Sequence, residues 1–266
     1  MRRYLGYFHI VKASFMASIV YPVGTFFTLI GNLVYITVVF FLWHSIYSGA
    51  DTLHGMTFNQ TFIYLTLAGS VLILFKTYTD WALSSRIIDG SIVSDLIKPL
   101  DFQVQTFAQS LGFALGNGVL ITLPSLLLMV VLFHGSFPLG INLLFFPVSL
   151  GLAYMLSFCL DYAVGLTAFY TQSLWGISIT KEVIVSLLSG ALIPLAFFPE
   201  GLQRVLQLLP FQAIYSIPLL IATSSQLQIA DYFQLLLVQI AWTIVFLVLT
   251  RLFFNRAIRV LVVNGG

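Results

Sequence analysis

From Phe102 to Leu160 the chain runs 59 residues without one Asp, Glu, Lys or Arg. Water cannot dissolve such a stretch, whereas at a bilayer centre each charge would cost at least ~2.5–3.5 kcal/mol. The window is too long for one crossing, because a helix spans the ~30 Å hydrocarbon core with about 20 residues. It therefore predicts two helices. The HGSFPLG segment at 134–140 supplies the turn, with Gly135, Pro138 and Gly140 as breakers.

The same reasoning divides the rest of the chain. Charge-poor windows predict membrane helices near 23–47, 57–77, 105–133, 141–170, 178–198 and 231–251. Composition agrees: 8% of residues are charged and 59% hydrophobic, against about 25% charged in soluble domains. The expected fold class is an all-α membrane protein with six transmembrane helices, a single domain over residues 1–266. No sizeable extramembrane domain fits, so any ATPase, protease or nucleic-acid-binding unit would sit on another polypeptide. A net charge of +2 supplies no polyanion-binding surface, and nucleic acid is not an expected partner. Cys159, the single cysteine, reads as a small buried hydrophobe. Arg2, Arg3 and Lys12 precede an uncharged stretch from Ala13 to Ala50, too long for the apolar part of a removed signal peptide, so a retained first span is expected.

Basic residues orient the bundle. With the N-terminus inside, Arg2, Arg3, Lys12, Lys76, Arg86 and Lys98 fall on the cytoplasmic side, as do Lys181, Arg251, Arg256 and Arg259, leaving Arg204 alone outside. That asymmetry predicts an N-in, C-in topology, which requires an even number of spans. Trp43, Tyr47, Tyr78, Trp81 and Trp175 fall at span ends, as interfacial aromatics do, whereas Trp242 falls mid-span. No internal repeat is visible.

Five features stand out as candidates for function. Residues 2–22 place Leu5, Phe8, Phe15 and Ile19 near one side of a helix and Arg2, His9 and Lys12 near another, with Pro22 ending it. Both an interfacial helix and an ordinary basic flank fit that pattern. Residues 76–103 hold seven of the chain's twenty charges, with Ile87, Ile88, Ile92, Val93, Leu96 and Ile97 at helical spacings, Gly90 interrupting and Pro99 terminating. Short amphipathic helices that dock on a soluble partner are one reading, and a solvated connecting loop is the other. Residues 192–218 carry Pro194, Pro199, Pro210 and Pro218 with only Glu200 and Arg204 charged. Span five is expected to break near Pro194, followed by a short helix over 201–209, forming an outer gate, a lipid-facing cap or a structural hairpin. Ala108, Gly112 and Gly116 form a small-residue ladder for close helix packing. Asp161 is the one carboxylate well inside an apolar window, where it could face a polar cavity, pair with a neighbouring cation or hydrogen-bond locally.

The sequence contains no G-x-x-x-x-G-K-[ST] phosphate loop, no H-E-x-x-H and no G-x-S-x-G. Its four histidines are scattered over both sides, so no metal site is expected. The chain therefore does not read as an enzyme.

Topology and two motifs resemble the permease subunits of ABC-2 type exporters. DGSIVSDLIKPLDF (89–102) is similar to the G-x-(I/L)-x-x-x-L-(L/I)-(K/R)-P-(L/I) loop of a bacterial branch of that family. SGALIPLAFFPEGLQRVLQLLPFQAIYSIP (189–218) is similar to its segment between spans five and six, and GLTAFYTQSLWGI (165–177) adds a local match. The resemblance implies an inner-membrane half-transporter with an N-terminal interfacial helix, a coupling helix within 84–100 and re-entrant helices within 192–218. It implies two cytoplasmic ATPase subunits that bind ATP and Mg, no cofactor in this chain, membrane lipids around it, and a second permease, identical or related. Carried onto this sequence, Arg86, Asp89, Asp95 and Lys98 would dock the ATPase, Gly90 and Pro99 would shape that loop, and Pro194, Pro199, Glu200, Arg204 and Pro210 would form the outer gate. The cargo is open, an amphipathic or lipid-like molecule being the expectation. Alternatives are a permease of a binding-protein-dependent importer, whose loop motif the sequence lacks, a membrane enzyme, or an assembly protein with no ATPase.

Overall fold

The computed structural model describes residues 2–20, 22–133, 138, 140–224 and 227–260, with side chains from Leu5 onward. The chain begins with α1 (Arg2–Ile19) and α2 (Pro22–Ile46), then a minimal hairpin of β1 (Thr52–Leu53) and β2 (Met56–Thr57) leads into α3 (Phe58–Phe75). Next come α4 (Thr79–Ile88), α5 (Ile92–Leu96), α6 (Phe102–Asn117), α7 (Leu123–Phe133) and α8 (Asn142–Leu166). The last third holds α9 (Trp175–Leu188), α10 (Glu200–Leu208), α11 (Ser216–Thr223) and α12 (Ile229–Ala257).

Five helical stretches among the described residues are long and apolar enough to cross a membrane: 22–49, 58–88, 102–133, 142–169 and 229–260. They match five of the six charge-poor windows. The predicted turn at 134–140 lies largely outside the described residues. α6 and α7 form one continuous crossing, joined by a π-helical segment over Gly118–Thr122. Pro124 explains the widening, since its ring and missing N–H disturb the preceding turn of an α-helix.

α3 is the axle of the bundle. It is apolar around its whole circumference, as a helix packed on all sides must be, and every residue from Thr61 to Val71 is buried. Thr57 and Gln60 start it with a reciprocal capping box. At Gly69 the helix packs against α2 so tightly that any Cβ would collide with the ring of Tyr35. Around this axle α2, α7, α8 and α11 build the main core, and a second core of Leu83, Ile87, Ile92, Phe102, Tyr162 and Phe254 anchors α4 and α5 beneath α8 and α12. Gln239 of α12 stitches the bundle internally, accepting from Ser149 at 2.8 Å and donating to the Ala213 carbonyl at 2.8 Å. Such bonds satisfy polar groups that lipid cannot.

The fifth predicted span differs from the expected 178–198. α9 has only 14 residues, about 21 Å of rise, and stops at Leu188 rather than near Pro194. The stop is tertiary in origin. Gly190 takes φ +83°, Tyr64 of α3 donates its hydroxyl to the Gly190 carbonyl at 3.0 Å, and the Ser216 N–H donates to the Ser189 carbonyl at 3.1 Å. A left-handed glycine tied from two sides ends the helix before any proline is reached. Pro194 and Pro199 then sit extended at the starts of a 3₁₀ turn and of α10, and Pro210 opens a second 3₁₀ turn. They begin elements, the role a preset φ suits, rather than break one.

Candidate functional site

The charged segment between α3 and α6 folds into a small foot. Gly90 adopts φ +77° and lets the chain reverse between α4 and α5. Asp89 accepts the Ser91 N–H at 2.8 Å, and Ser91's hydroxyl and amide hold that carboxyl below the usual carboxylate range. Asp95 is the hub. Arg86 Nη1 donates to its Oδ2 at 2.9 Å, while Lys98 Nζ and Gln105 Nε2 donate to its Oδ1 at 2.7 Å and 3.1 Å. Burial pushes the Asp95 carboxyl up, but Lys98, Arg86 and Gln105 together outweigh it and hold the group below its ordinary value.

Arg86 and Asp95 are therefore turned toward each other and satisfied within the foot. The surface they brace presents Asp89, Gly90, Lys98 and Pro99 around three exposed apolar side chains, Ile88, Val93 and Ile97, the last 79% exposed. Asp101 fixes this foot to the bundle: it caps α6 by accepting the Val104 N–H at 3.1 Å, pairs with Arg251 of α12 at 2.7 Å, and donates its own N–H to the Tyr7 hydroxyl of α1 at 2.9 Å.

Above the foot lies a cluster that sequence reasoning only half anticipates. Lys181 of α9 donates to Asp80 Oδ2 at 2.8 Å and to Asp161 Oδ1 at 2.6 Å. Asp80, 2% exposed, also accepts the Ser178 hydroxyl at 2.8 Å and the Trp81 N–H at 2.9 Å. Of the readings open for Asp161, the structure has two, the pair with a neighbouring cation and a place on the wall of a cavity. Lys181 lies within the predicted fifth span and Asp161 in the same half of the fourth, so matching their depths was the available signal. Asp80 carried none, since by sequence it belongs to the loop.

This cluster forms one wall of a cavity of about 510 Å³ between α2, α3, α8 and α9. The lining runs from Lys76 and Asp80 on the foot side to Leu192, Ile214 and Tyr215 of the Pro-rich segment. Within that segment α10 keeps Leu206 buried and leaves Leu202, Val205 and Leu208 exposed. Glu200 and Arg204 face each other at 3.7 Å, 89% and 80% exposed, a surface pair of little energetic weight.

Of the ladder, Gly112 and Gly116 receive α1, which runs parallel to α6, and Ala108 is buried. A Cβ at Gly112 would collide with the Val11 carbonyl and with Ser14, and one at Gly116 with Ser18. Leu5, Phe8 and Ile19 stay exposed, and the Arg2 side chain lies outside the described residues.

Comparison with curated proteins finds no match. Comparison with family models does: residues 33–265 match the family described as ABC-2 family transporter protein. That match takes in the foot, the ion cluster, the cavity's α3, α8 and α9 walls and the Pro-rich segment, together with all but the first part of α2. The chain thus belongs to the ABC-2 transporter family and is a multi-pass membrane permease of an ABC transporter, the component that carries no nucleotide-binding domain.

Proposed function

We propose that this permease crosses the bacterial inner membrane six times with both termini in the cytoplasm, α9 and the Pro-rich segment after it together making the fifth crossing. Two copies, or one copy with a related permease, assemble with two cytoplasmic ATPase subunits to export an amphipathic cargo. α1 stands along the cytoplasmic half of the α6–α7 crossing, with Leu5, Phe8 and Ile19 toward lipid. The foot is the coupling element. What supports this reading is its build: Ile88, Val93 and Ile97 are exposed on a loop whose shape is braced from behind by Arg86, Asp95 and Gln105. Exposed apolar side chains on a rigid mount suit insertion into a groove of a soluble subunit, with Asp89 and Lys98 at the rim. Gly90 and Pro99 set its outline.

ATP-driven movement of the foot is transmitted along α4 to Asp80, which holds Lys181 of α9 and, through it, Asp161 of α8. The cavity is the loading chamber. Its roof of Leu192, Ile214 and Tyr215, with α10 and the turns at Pro194, Pro199 and Pro210, is the outer gate, where Glu200 and Arg204 mark the water side.

Co-purification with the cognate ATPase tests the reading. Ile97→Asp combined with Val93→Asp is expected to abolish association while the permease still folds, and Arg204→Ala to leave it intact. ATPase retention by the Ile97/Val93 variant would remove the foot from the coupling path.

A further inference from the structure

The cavity has a chemical preference written into its walls. Its volume of about 510 Å³ falls in the ~300–1,000 Å³ range of pockets that enclose drug-sized molecules. Most of the lining is apolar, and Tyr35, Phe75 and Tyr215 supply aromatic rings from three different parts of the chain. Three carboxylates, Asp80, Asp161 and Glu182, face two ammonium groups, Lys76 and Lys181.

Those charges do not cancel in place. Asp80 is saturated by Lys181, Ser178 and its own helix, and Asp161 is paired through Oδ1 alone. Lys76 stands on the foot-side lip, over the ring of Tyr78 at 5.4 Å from its centroid. Glu182 has no ion-pair or hydrogen-bond partner among the described residues, although it lines the same chamber. One negative charge is thus left in excess on a largely apolar wall. An independent feature points the same way, toward a missing molecule. Asn32 is 4% exposed, lies on the lining, and its amide nitrogen has no hydrogen-bond partner among the described residues. Buried amides without partners are uncommon, and this one lies just behind the cavity surface, where a turn of its side chain brings the N–H to whatever enters.

From these observations we infer that the cavity binds an amphipathic organic monocation that also carries an oxygen acceptor. Glu182, with the free oxygen of Asp161, offsets the ligand's charge. The aromatic faces stabilise a delocalised or alkylated cation at close range. Asn32 donates to the ligand's oxygen, and Leu72, Leu160 and Val185 cover its apolar body. The inference rests on the cavity being the loading chamber of the permease and assigns the class of cargo.

Rhodamine 6G, a lipophilic cation bearing an ester oxygen, tests it beside its hydrolysed acid, which keeps the ring system and has no net charge. Binding to the purified full-length protein in lipid nanodiscs is followed by fluorescence polarisation, with empty nanodiscs subtracted. The ester is expected to bind saturably, one per chain, about tenfold more tightly than the acid. Glu182→Gln should remove about tenfold of the ester's affinity and change the acid's much less, because the acid's own carboxylate opposes its ring cation. Asn32→Ala should weaken both by about threefold to tenfold. Equal or tighter binding of the acid by the wild-type protein overturns the inference without recourse to any variant, as does full ester affinity in a Glu182→Gln protein of normal thermal stability. Unchanged binding in Asn32→Ala overturns the acceptor. Co-purification with the ATPase is scored on the same preparations. ATPase association without charge preference overturns the cargo class alone, whereas charge preference without ATPase association upholds the cavity's chemistry and overturns the transport reading.

Discussion

Lys181 and Asp80 stand 101 positions apart in sequence and 2.8 Å apart in space. Through that one bond α4, the first helix of the foot, is tied to α9, and Asp161 completes the tie from α8 at 2.6 Å.

Removing the shared cation should be the most damaging single change in the bundle. Lys181→Met leaves the buried Asp80 with only Ser178 and the Trp81 N–H and the cavity-facing Asp161 without a cation, and breaking a buried pair costs about 3–5 kcal/mol. Asp161→Asn should cost less, because Lys181 keeps Asp80. The triple variant Asp80→Asn, Lys181→Met, Asp161→Asn should recover much of the loss. Thermal unfolding in detergent ranks all three, and equal midpoints for Lys181→Met and Asp161→Asn would contradict the shared-cation arrangement.

Steric contrast between two glycines offers a second check. Gly112→Ala forces a methyl group against the Val11 backbone, an overpacking expected to cost about 1–3 kcal/mol and to loosen α1. Gly151 of α8 has open space where its Cβ would be, so Gly151→Ala should be neutral or stabilise by up to about 1 kcal/mol. Protease accessibility of α1, compared between the two proteins, reads the difference.

The break after α9 is held by Tyr64. Tyr64→Phe removes one buried donor and leaves the Gly190 carbonyl unpaired, at a cost of about 1–3 kcal/mol. Gly190→Ala should be worse, since φ is +83° and the new methyl would sit 3.0 Å from the Tyr64 hydroxyl. Hydrogen exchange over 189–216 should quicken in both proteins and leave the foot unaffected.

Asp95 should make the foot acid-sensitive. Its pKa is lowered in the folded state, so its contribution is complete above the ordinary carboxylate value of about 3.9 and is lost as pH falls through the lowered one. Amide protection over residues 86–98, taken relative to the intrinsic exchange rate at each pH, is expected to hold from neutral pH to about 4 and to fall below it. In Asp95→Asn protection should be low throughout that range.

Hydropathy made most of the bundle legible. α2, α3, α8 and α12 fall within a few residues of their charge-poor windows because the cost of a charge in lipid acts residue by residue along the chain. Amphipathic spacing located α4 and α5, and Gly90 the bend between them. Span five escaped because its end is decided by Tyr64 and Ser216, partners far away in sequence. The cavity was hidden for the same reason. Asp161 signalled itself by standing in an apolar window, but Asp80 and Lys181 sit near span ends, where charges are ordinary, and Asn32 is an unremarked amide in an apolar helix. Proximity in space gives them meaning, and hydropathy does not encode it.

The parallel pairing of α1 with α6 bears on how the protein is made. Val11 meets a partner at Gly112 that emerges from the ribosome about 100 residues later, a delay on the order of 5–20 s at ordinary synthesis rates of about 5–20 residues per second. During that interval Ser14 and Ser18 have no α6 groove to fill, while α2 and α3 can already pair as a hairpin. The docking of α1 on α6 is thus a late step, the one in which contacts far apart in sequence close over a bundle already partly made.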